Sequence, residues 1–206
     1  MKPFLILQLR PEDEASDGEL ESILKFAGLT KDDIHRVRME QLGIPHVDLD
    51  DYSGVILGGG PYNNCDPEDK KGEIQRRLEQ DIRELLDEIA ERDFPFIGIC
   101  YGVGALGQHQ GCLIAKDFGE DVGAVTVKLT EEGKKDDLLK GLPEEFSAFV
   151  GHKEGCGQLS DQVVRLAYSD SCPVQMFRLK KNIYATQFHP ELDLEGIITR
   201  INVYKY

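Results

Sequence analysis

Phe94-Pro-Phe-Ile-Gly-Ile-Cys-Tyr-Gly102 combines an apolar run with a cysteine held between two glycines, and the architecture of the chain can be read outward from it. The run ends at Cys100, which is flanked by Gly98 and Gly102. This order predicts a buried strand, a sharp turn and then a helix, and a Cβ at either glycine is expected to crowd the turn. Free N–H groups and the dipole at the start of the helix favour a thiolate. Cys100 is therefore a candidate nucleophile.

Short apolar runs and amphipathic helical patterns alternate on either side of this turn. Before residue 111, strands are predicted at 4–9, 34–39, 54–57 and 94–99, and helices at 18–27, 74–91 and 102–110. After it, strands are predicted at 112–116, 124–130, 146–150, 163–168, 174–179 and 183–188, with a short helix near 135–140 and a closing helix at 192–206. This order predicts an α/β fold with an open, mostly parallel sheet flanked by helices, and additional antiparallel strands in the C-terminal half.

Length and composition indicate a single soluble domain over residues 1–206, with 40% hydrophobic and 30% charged residues. The net charge of −14 would repel phosphate backbones and anionic lipid, so neither nucleic acid nor a membrane is an expected partner. The five cysteines are odd in number and include no CxxC pair, which argues against a disulfide framework and against a zinc site. A reducing, cytoplasmic location fits this pattern best.

A thiol nucleophile also needs a base that is oriented by a third group. His189 is the strongest candidate among the five histidines, because it closes the last apolar strand in Gln187-Phe-His-Pro-Glu191. Pro190 turns the chain so that His189 and Glu191 can fall on one side, where the carboxylate can hold the ring. His152, which follows another strand and a glycine, is predicted to line the site. The remaining histidines are predicted to lie on the surface or to point away from the turn: His35, His46 and His109.

Gly58-Gly-Gly-Pro61 ends another predicted strand. Because the carboxyl ends of parallel strands share one edge of a sheet, this loop is expected beside Cys100. Backbone N–H groups of a glycine run can approach an oxyanion closely, and the N–H of Tyr101 is a natural second donor. Neither a GK[ST] nor a GxGxxG pattern accompanies these glycines, so neither a phosphate site nor a cofactor is predicted.

Together, Gly58-Gly-Gly-Pro61, Gly98-Ile-Cys-Tyr-Gly102 and Gln187-Phe-His-Pro-Glu191 resemble the class I (triad) glutamine amidotransferase family. The form resembled most is the GMP synthase glutaminase domain and its stand-alone relatives. The resemblance covers nearly the whole chain, and it implies a flavodoxin-like α/β core with a Cys–His–Glu triad.

The resemblance also implies a role for each site residue. Cys100 would attack the side-chain amide of glutamine, His189 would act as general base and acid, and Glu191 would orient His189. A γ-glutamyl thioester would form, and its hydrolysis would release glutamate. The other implied site residues are Gly60 and Tyr101 for the oxyanion hole, and Gly59, Gly104, His152, Lys153 and Glu154 for the substrate.

One position departs from the family pattern. The family usually reads G-I-C-x-G-x-Q, with a glutamine that helps to hold the amino-acid end of the substrate, whereas this chain has Gly104 there. Loss of one hydrogen bond to a charged ligand group would cost roughly 1.5–3 kcal/mol. Three alternatives follow. Another side chain, such as Gln108 or Lys153, replaces the glutamine; the substrate is a γ-glutamyl compound other than free glutamine; or the site is weak until a partner docks.

Three functions are therefore compatible with the sequence. The first is a glutamine amidotransferase that passes ammonia to a separate synthase subunit, because the chain contains no ATP-pyrophosphatase domain and no SGG-type phosphate loop. The second is a γ-glutamyl hydrolase that uses the same triad without passing ammonia on. The third is a non-catalytic regulatory module on this fold. The triad residues favour the first, and Gly104 keeps the other two open.

Overall fold

The computed structural model describes residues 2–204 and is built on eleven strands and six α-helices within that range. The strands are β1 (Phe4–Gln8), β2 (Ile34–Arg38), β3 (Gly54–Leu57), β4 (Phe96–Ile99), β5 (Leu113–Ala115), β6 (Glu120–Leu129), β7 (Glu145–His152), β8 (Gly155–Gln158), β9 (Val163–Tyr168), β10 (Met176–Leu179) and β11 (Ile183–Thr186). The helices are α1 (Asp13–Ala27), α2 (Met39–Leu42), α3 (Glu73–Arg92), α4 (Tyr101–His109), α5 (Glu131–Lys135) and α6 (Leu194–Val203).

Nine of these strands form one sheet in the order β2-β1-β3-β4-β11-β10-β9-β6-β7. The first five are parallel, and β10, β9, β6 and β7 continue the sheet by antiparallel pairing. The order β2-β1-β3-β4 is that of flavodoxin-like sheets, with β11 in the fifth place. The α/β fold with a mostly parallel sheet and added antiparallel strands is thus confirmed. A separate ribbon pairs β5 with β8.

Side-chain periodicity explains why helices cover both faces of the sheet. On β1, Leu5 and Leu7 point to one face and Ile6 to the other, as the two-residue repeat of a strand requires. The first face packs against α3, whose buried residues recur every three to four positions: Leu78, Ile82, Leu86 and Ile89. Ile6 packs in a smaller cluster with Leu20 and Ile23 of α1. Among residues 2–204, no helix is long and apolar enough to cross a membrane.

The structure differs from the sequence prediction mainly at element ends. Helix α1 begins at Asp13 rather than residue 18. Helix α5 ends at Lys135, where the prediction began, because the Thr130 hydroxyl accepts the N–H of Gly133 and starts the helix earlier. Strand β8 was not predicted, since its sequence Gly155-Cys-Gly-Gln158 has no apolar alternation.

The closing helix is also shorter than predicted. The Asp193 side chain accepts the N–H of Gly196, so α6 begins at Leu194 rather than at residue 192. Its last turn ends at Val203, and the predicted positions Lys205 and Tyr206 lie outside the described residues.

Candidate functional site

The carboxyl ends of neighbouring parallel strands meet at one edge of the sheet, as the topology requires. Cys100 follows β4, the Gly58-Gly-Gly-Pro61 loop follows β3, and His189 comes shortly after β11. These segments border a cavity of about 910 Å³, which is also lined by residues from β7 and α6. The three motifs that the sequence analysis singled out are therefore brought together.

Cys100 occupies a strained backbone position between β4 and α4. Its φ is 56° and its ψ −88°, in the region that non-glycine residues rarely adopt. A Cβ on Gly98 would lie 2.9 Å from the Cα of Gly102, so the prediction that Gly98 must be glycine is supported. The same prediction for Gly102 is wrong, because a Cβ there would meet nothing nearer than Leu57 at 3.8 Å.

The charge state of Cys100 is set by opposing influences. Burial raises the pKa of its thiol to about 11, while the positive charges of Arg10 and Arg200 act in the opposite direction. Burial thus outweighs the two arginines, and a thiol with a pKa of about 11 is protonated at neutral pH. A base close to the sulfur is needed to generate a thiolate.

His189 and Glu191 form a buried pair beside this thiol. The Nδ1 of His189 lies 2.8 Å from Oε1 of Glu191, and the N–H of His189 donates to the carbonyl of Phe149. Burial would raise the pKa of Glu191, but the charge and hydrogen bond of His189 outweigh it and hold that pKa at about 2. Burial lowers the pKa of His189 despite the attraction of Glu191. A neutral ring that donates Nδ1–H to Glu191 keeps its Nε2 lone pair for a proton.

Gly59 lies between the thiol and the imidazole. A Cβ on Gly59 would lie 3.4 Å from Cε1 of His189 and 3.6 Å from the Cβ of Cys100, which are ordinary contact distances, but only 2.7 Å from Nη2 of Arg10. Gln187 places its side-chain amide nitrogen 4.0 Å from Sγ of Cys100. The glycine therefore leaves room chiefly for the Arg10 guanidinium, next to which Cys100 and His189 both lie.

The amides of the glycine loop have different partners. The Gly59 N–H donates to Oε1 of the buried Glu19 at 3.1 Å. Within the described part of the chain, the N–H of Gly60 has no hydrogen-bond acceptor. The N–H of Tyr101 lies in the first turn of α4, where no intrahelical acceptor exists. Gly60 and Tyr101 both line the cavity, and neither amide has an acceptor of this kind within residues 2–204.

Two arginines that sequence reasoning missed enter the site. Arg10, just after β1, donates from Nε to Glu19 at 2.9 Å. Arg200 of α6 places Nη1 3.0 Å from Nδ1 of His189 and Nη2 3.4 Å from Oε1 of Glu191. The position of Arg10 after a parallel strand was a usable signal for its placement at this edge, whereas nothing in the local sequence of Arg200 marked it.

In the predicted substrate segment, the side chains of His152 and Glu154 are engaged in hydrogen bonds. Nδ1 of His152 lies 2.7 Å from the Glu154 carbonyl, and Nε2 lies 2.8 Å from Oε2 of Glu120. Lys153 is exposed and borders the cavity. Gly104 is buried in α4 and does not itself line the cavity, but it lies against Glu154, which does.

One group of side chains within residues 2–204 has metal-ligating atoms close together, namely Glu120, His152 and Cys172, within 4.8 Å of one another. The Glu120 carboxylate already accepts hydrogen bonds from Ser169 and Gln175 as well as from His152. Burial raises the pKa of the Cys172 thiol to about 11, which disfavours the thiolate that a metal would need. The group fits a hydrogen-bond network better than a metal centre.

A family model and individual relatives both match this chain, and they agree on one family. The model of the family described as glutamine amidotransferase class-I matches residues 29–197. A subunit of GMP synthase (glutamine-hydrolyzing) from Thermoplasma volcanium is 34% identical over 146 residues, covering 70% of this chain and 65% of that protein, which is less than two thirds of its length. The subunit of the same name from Archaeoglobus fulgidus is 33% identical over 157 residues, covering 72% of this chain and 71% of that protein.

Solved structures show the same fold. A glutamine amidotransferase from Thermotoga maritima superposes with a TM-score of 0.79 at 20% identity, covering 100% of this chain and 83% of that one. A putative GMP synthase subunit from Thermoplasma acidophilum has a TM-score of 0.69 at 23% identity, covering 98% of this chain and 92% of that one.

Proposed function

This chain belongs to the class-I glutamine amidotransferase family, and we propose that it hydrolyses the side-chain amide of glutamine to glutamate and ammonia. One observation carries the proposal: Cys100 lies on a strained turn with the buried His189–Glu191 pair on the other side of Gly59. This arrangement has the three parts that thiol catalysis requires, namely a nucleophile, a base and an orienting carboxylate.

In the first half of the proposed reaction, Nε2 of His189 removes the proton from Sγ of Cys100. The thiolate attacks the amide carbon of glutamine, and the C–O π pair moves to oxygen. In this proposal the N–H groups of Gly60 and Tyr101 receive that oxyanion; its support is that neither has an acceptor in the resting site. Arg10 and Arg200 further favour the thiolate by their charge.

In the second half, the tetrahedral intermediate collapses to a γ-glutamyl thioester on Cys100. The imidazolium of His189 gives its proton to the departing nitrogen, which leaves as ammonia. The ring then removes a proton from a water molecule that attacks the thioester carbon, and glutamate is released with regeneration of the thiol. Glu191 stabilises the imidazolium in both steps, as its depressed pKa of about 2 keeps it ionised.

We further propose that the ammonia is used by a separate synthase subunit. The support comes from the relatives, several of which are named as one subunit of GMP synthase. The cavity that contains Cys100 borders exposed residues of β6 and α6, so a partner seated over it would receive the ammonia directly. Five free cysteines support a reducing, cytoplasmic location for this assembly.

A γ-glutamyl hydrolase is the second candidate function. Its support is the cavity of about 910 Å³, which leaves room for a larger substrate, and the absence at position 104 of the glutamine that is usual in the family. Such an enzyme would use the same three residues but would prefer γ-glutamyl amines. A non-catalytic module would have no need for the buried His189–Glu191 pair.

The proposal is tested by measuring glutamate release from glutamine and from γ-glutamyl amines, with the wild-type chain alone and with its synthase partner added. Release from glutamine that is abolished in Cys100→Ala supports the glutaminase. Faster release from γ-glutamyl amines favours the second candidate. Absence of release from every substrate, with and without the partner, would refute catalysis.

A further inference from the structure

The space beside Gly104 is already filled. A Cβ at this position would lie 2.4 Å from Nδ2 of Asn64 and 2.6 Å from Oε1 of Glu154. Both distances are far below the roughly 3.5 Å at which non-bonded heavy atoms come into favourable contact. A side chain as large as glutamine cannot occupy this position unless both Asn64 and Glu154 move.

Asn64 and Glu154 are joined by a dense set of hydrogen bonds. Oε1 of Glu154 accepts from the backbone N–H of Asn64 at 2.8 Å and from its Nδ2 at 3.0 Å, while Oε2 accepts from the N–H of Cys65 at 2.7 Å. Gln108 of α4 donates to the Asn64 carbonyl at 2.8 Å. Asn64 and Glu154 are 4% and 7% exposed, so water competes little for these bonds.

The hydrogen bond made by Gln108 excludes this residue as a substitute for the missing glutamine at position 104. Gln108 directs its amide nitrogen to the backbone of Asn64 and is therefore not free to hold a substrate. Glu154 makes no ion pair within residues 2–204, so amide donors from the loop are what stabilise its buried carboxylate.

We propose that Gly104, Asn64 and Glu154 form one unit, here called the 64–154 tie. Gly104 leaves the space that the Asn64 side chain fills, and Glu154 fixes the loop that carries Gly60. This inference rests on the proposed function, because it assigns Gly60 to the oxyanion hole. Asn64 and Glu154 are positioning residues, since they act through the loop backbone and not on the reacting atoms.

The tie can affect the position of Gly60 because only a short loop separates Gly60 from Asn64. Gly60 and Asn64 belong to the same loop after β3, and the tie holds its far end against the segment that follows β7. Oxyanion donors must lie within a few tenths of an ångström of their place, and a displacement of about 1 Å can cost about 100-fold in rate. Loss of the tie should therefore lower kcat more than it raises KM.

Four variants test the tie: Asn64→Ala, Glu154→Gln, Gly104→Gln and the double variant Asn64→Ala/Gly104→Gln. Glutamine hydrolysis gives kcat and KM, and thermal unfolding gives the midpoint. Gly18→Gln is the matched control, because Gly18 also lies within a helix and a Cβ there would meet nothing nearer than Cγ2 of Thr199 at 4.0 Å. We expect Asn64→Ala and Glu154→Gln to lower kcat roughly ten- to a hundred-fold with a smaller change in KM.

The double variant measures the steric coupling between positions 64 and 104. Gly104→Gln alone should lower the unfolding midpoint clearly, and removal of the Asn64 side chain should recover part of that loss, because only the contact with Glu154 then remains. Gly18→Gln should leave the midpoint unchanged or raise it slightly, since glutamine suits a helix better than glycine. The tie would be overturned if Gly104→Gln lowered the unfolding midpoint equally with and without the Asn64 side chain. It would also be overturned if Asn64→Ala and Glu154→Gln raised KM and left kcat intact. If the wild-type chain hydrolyses no glutamine, the proposed function fails, whereas the midpoints still decide the steric coupling.

Discussion

Arg200 places Nη1 3.0 Å from Nδ1 of His189 and 3.3 Å from Nε2 of the same ring. The two ring nitrogens point in different directions, so a group nearly equidistant from both lies off the ring plane and not in line with either nitrogen. Its effect is therefore mainly that of a positive charge next to the imidazole. Burial and the Arg200 charge both lower the pKa of His189.

The first prediction concerns the pH dependence of activity. Arg200→Met keeps a long side chain but removes the charge, so the pKa of His189 should rise toward its ordinary value. Because a general base must be unprotonated, the acidic limb of the kcat/KM profile should move to higher pH. A limb that stays in place or moves to lower pH would contradict this role of Arg200. A kinetic pH titration of wild type and variant makes the measurement.

A second prediction concerns the orienting carboxylate. In Glu191→Gln, the amide can present an N–H to Nδ1 of His189 and so favour the tautomer that cannot accept a proton at Nε2. Replacement of the corresponding carboxylate in a serine-protease triad costs about 10⁴-fold in kcat, and we expect a loss of about that order here. Steady-state kinetics measure it, with the unfolding midpoint as the check on folding. A loss of less than about tenfold would remove Glu191 from the mechanism.

The turn at Cys100 gives a third prediction with a matched pair of variants. Gly98→Ala should destabilise the fold by about 1–3 kcal/mol, because its Cβ would lie 2.9 Å from the Cα of Gly102. Gly102→Ala adds the same methyl group where the nearest atom is 3.8 Å away, and alanine suits a helix better than glycine. Urea unfolding of the two variants should therefore differ clearly, and equal free energies of unfolding would show that the turn is not crowded.

The fourth prediction follows from Glu120. Burial would raise the pKa of this carboxyl, but hydrogen bonds from His152 and other donors hold it at about 2, below its ordinary value of 4.5. A depressed pKa contributes stability that is complete above about pH 4.5 and is lost as the pH falls toward 2. The unfolding midpoint of the wild type should therefore drop more steeply over this window than that of Glu120→Gln. Parallel curves for the two proteins would contradict the prediction.

The parts of the site that could be predicted from the sequence are those marked by local patterns. Cys100 ends an apolar run and is flanked by Gly98 and Gly102, and His189 is followed by Pro190. In both cases residues within two positions predict the turn. The two-residue and 3.6-residue repeats likewise located β3 at its observed bounds, 54–57, and α3 to within one residue at each end.

The parts that could not be predicted depend on contacts between distant segments. Arg200 reaches His189 only because α6 packs across the site, and its own sequence neighbours are ordinary helix residues. Gly104 looked like a lost substrate contact, whereas its space is filled by Asn64, forty residues earlier in the chain. Neither relationship leaves a periodic or compositional signal, so only the packed structure reveals it.

The central claim is that Cys100 forms a covalent γ-glutamyl intermediate. Its most direct test is mass spectrometry of the protein, with its partner present, acid-quenched during turnover of glutamine. The account predicts a γ-glutamyl adduct on the peptide that contains Cys100, and no adduct in Cys100→Ala. Glutamate release that continues in Cys100→Ala, or an adduct on any of the other four cysteines instead, would contradict it.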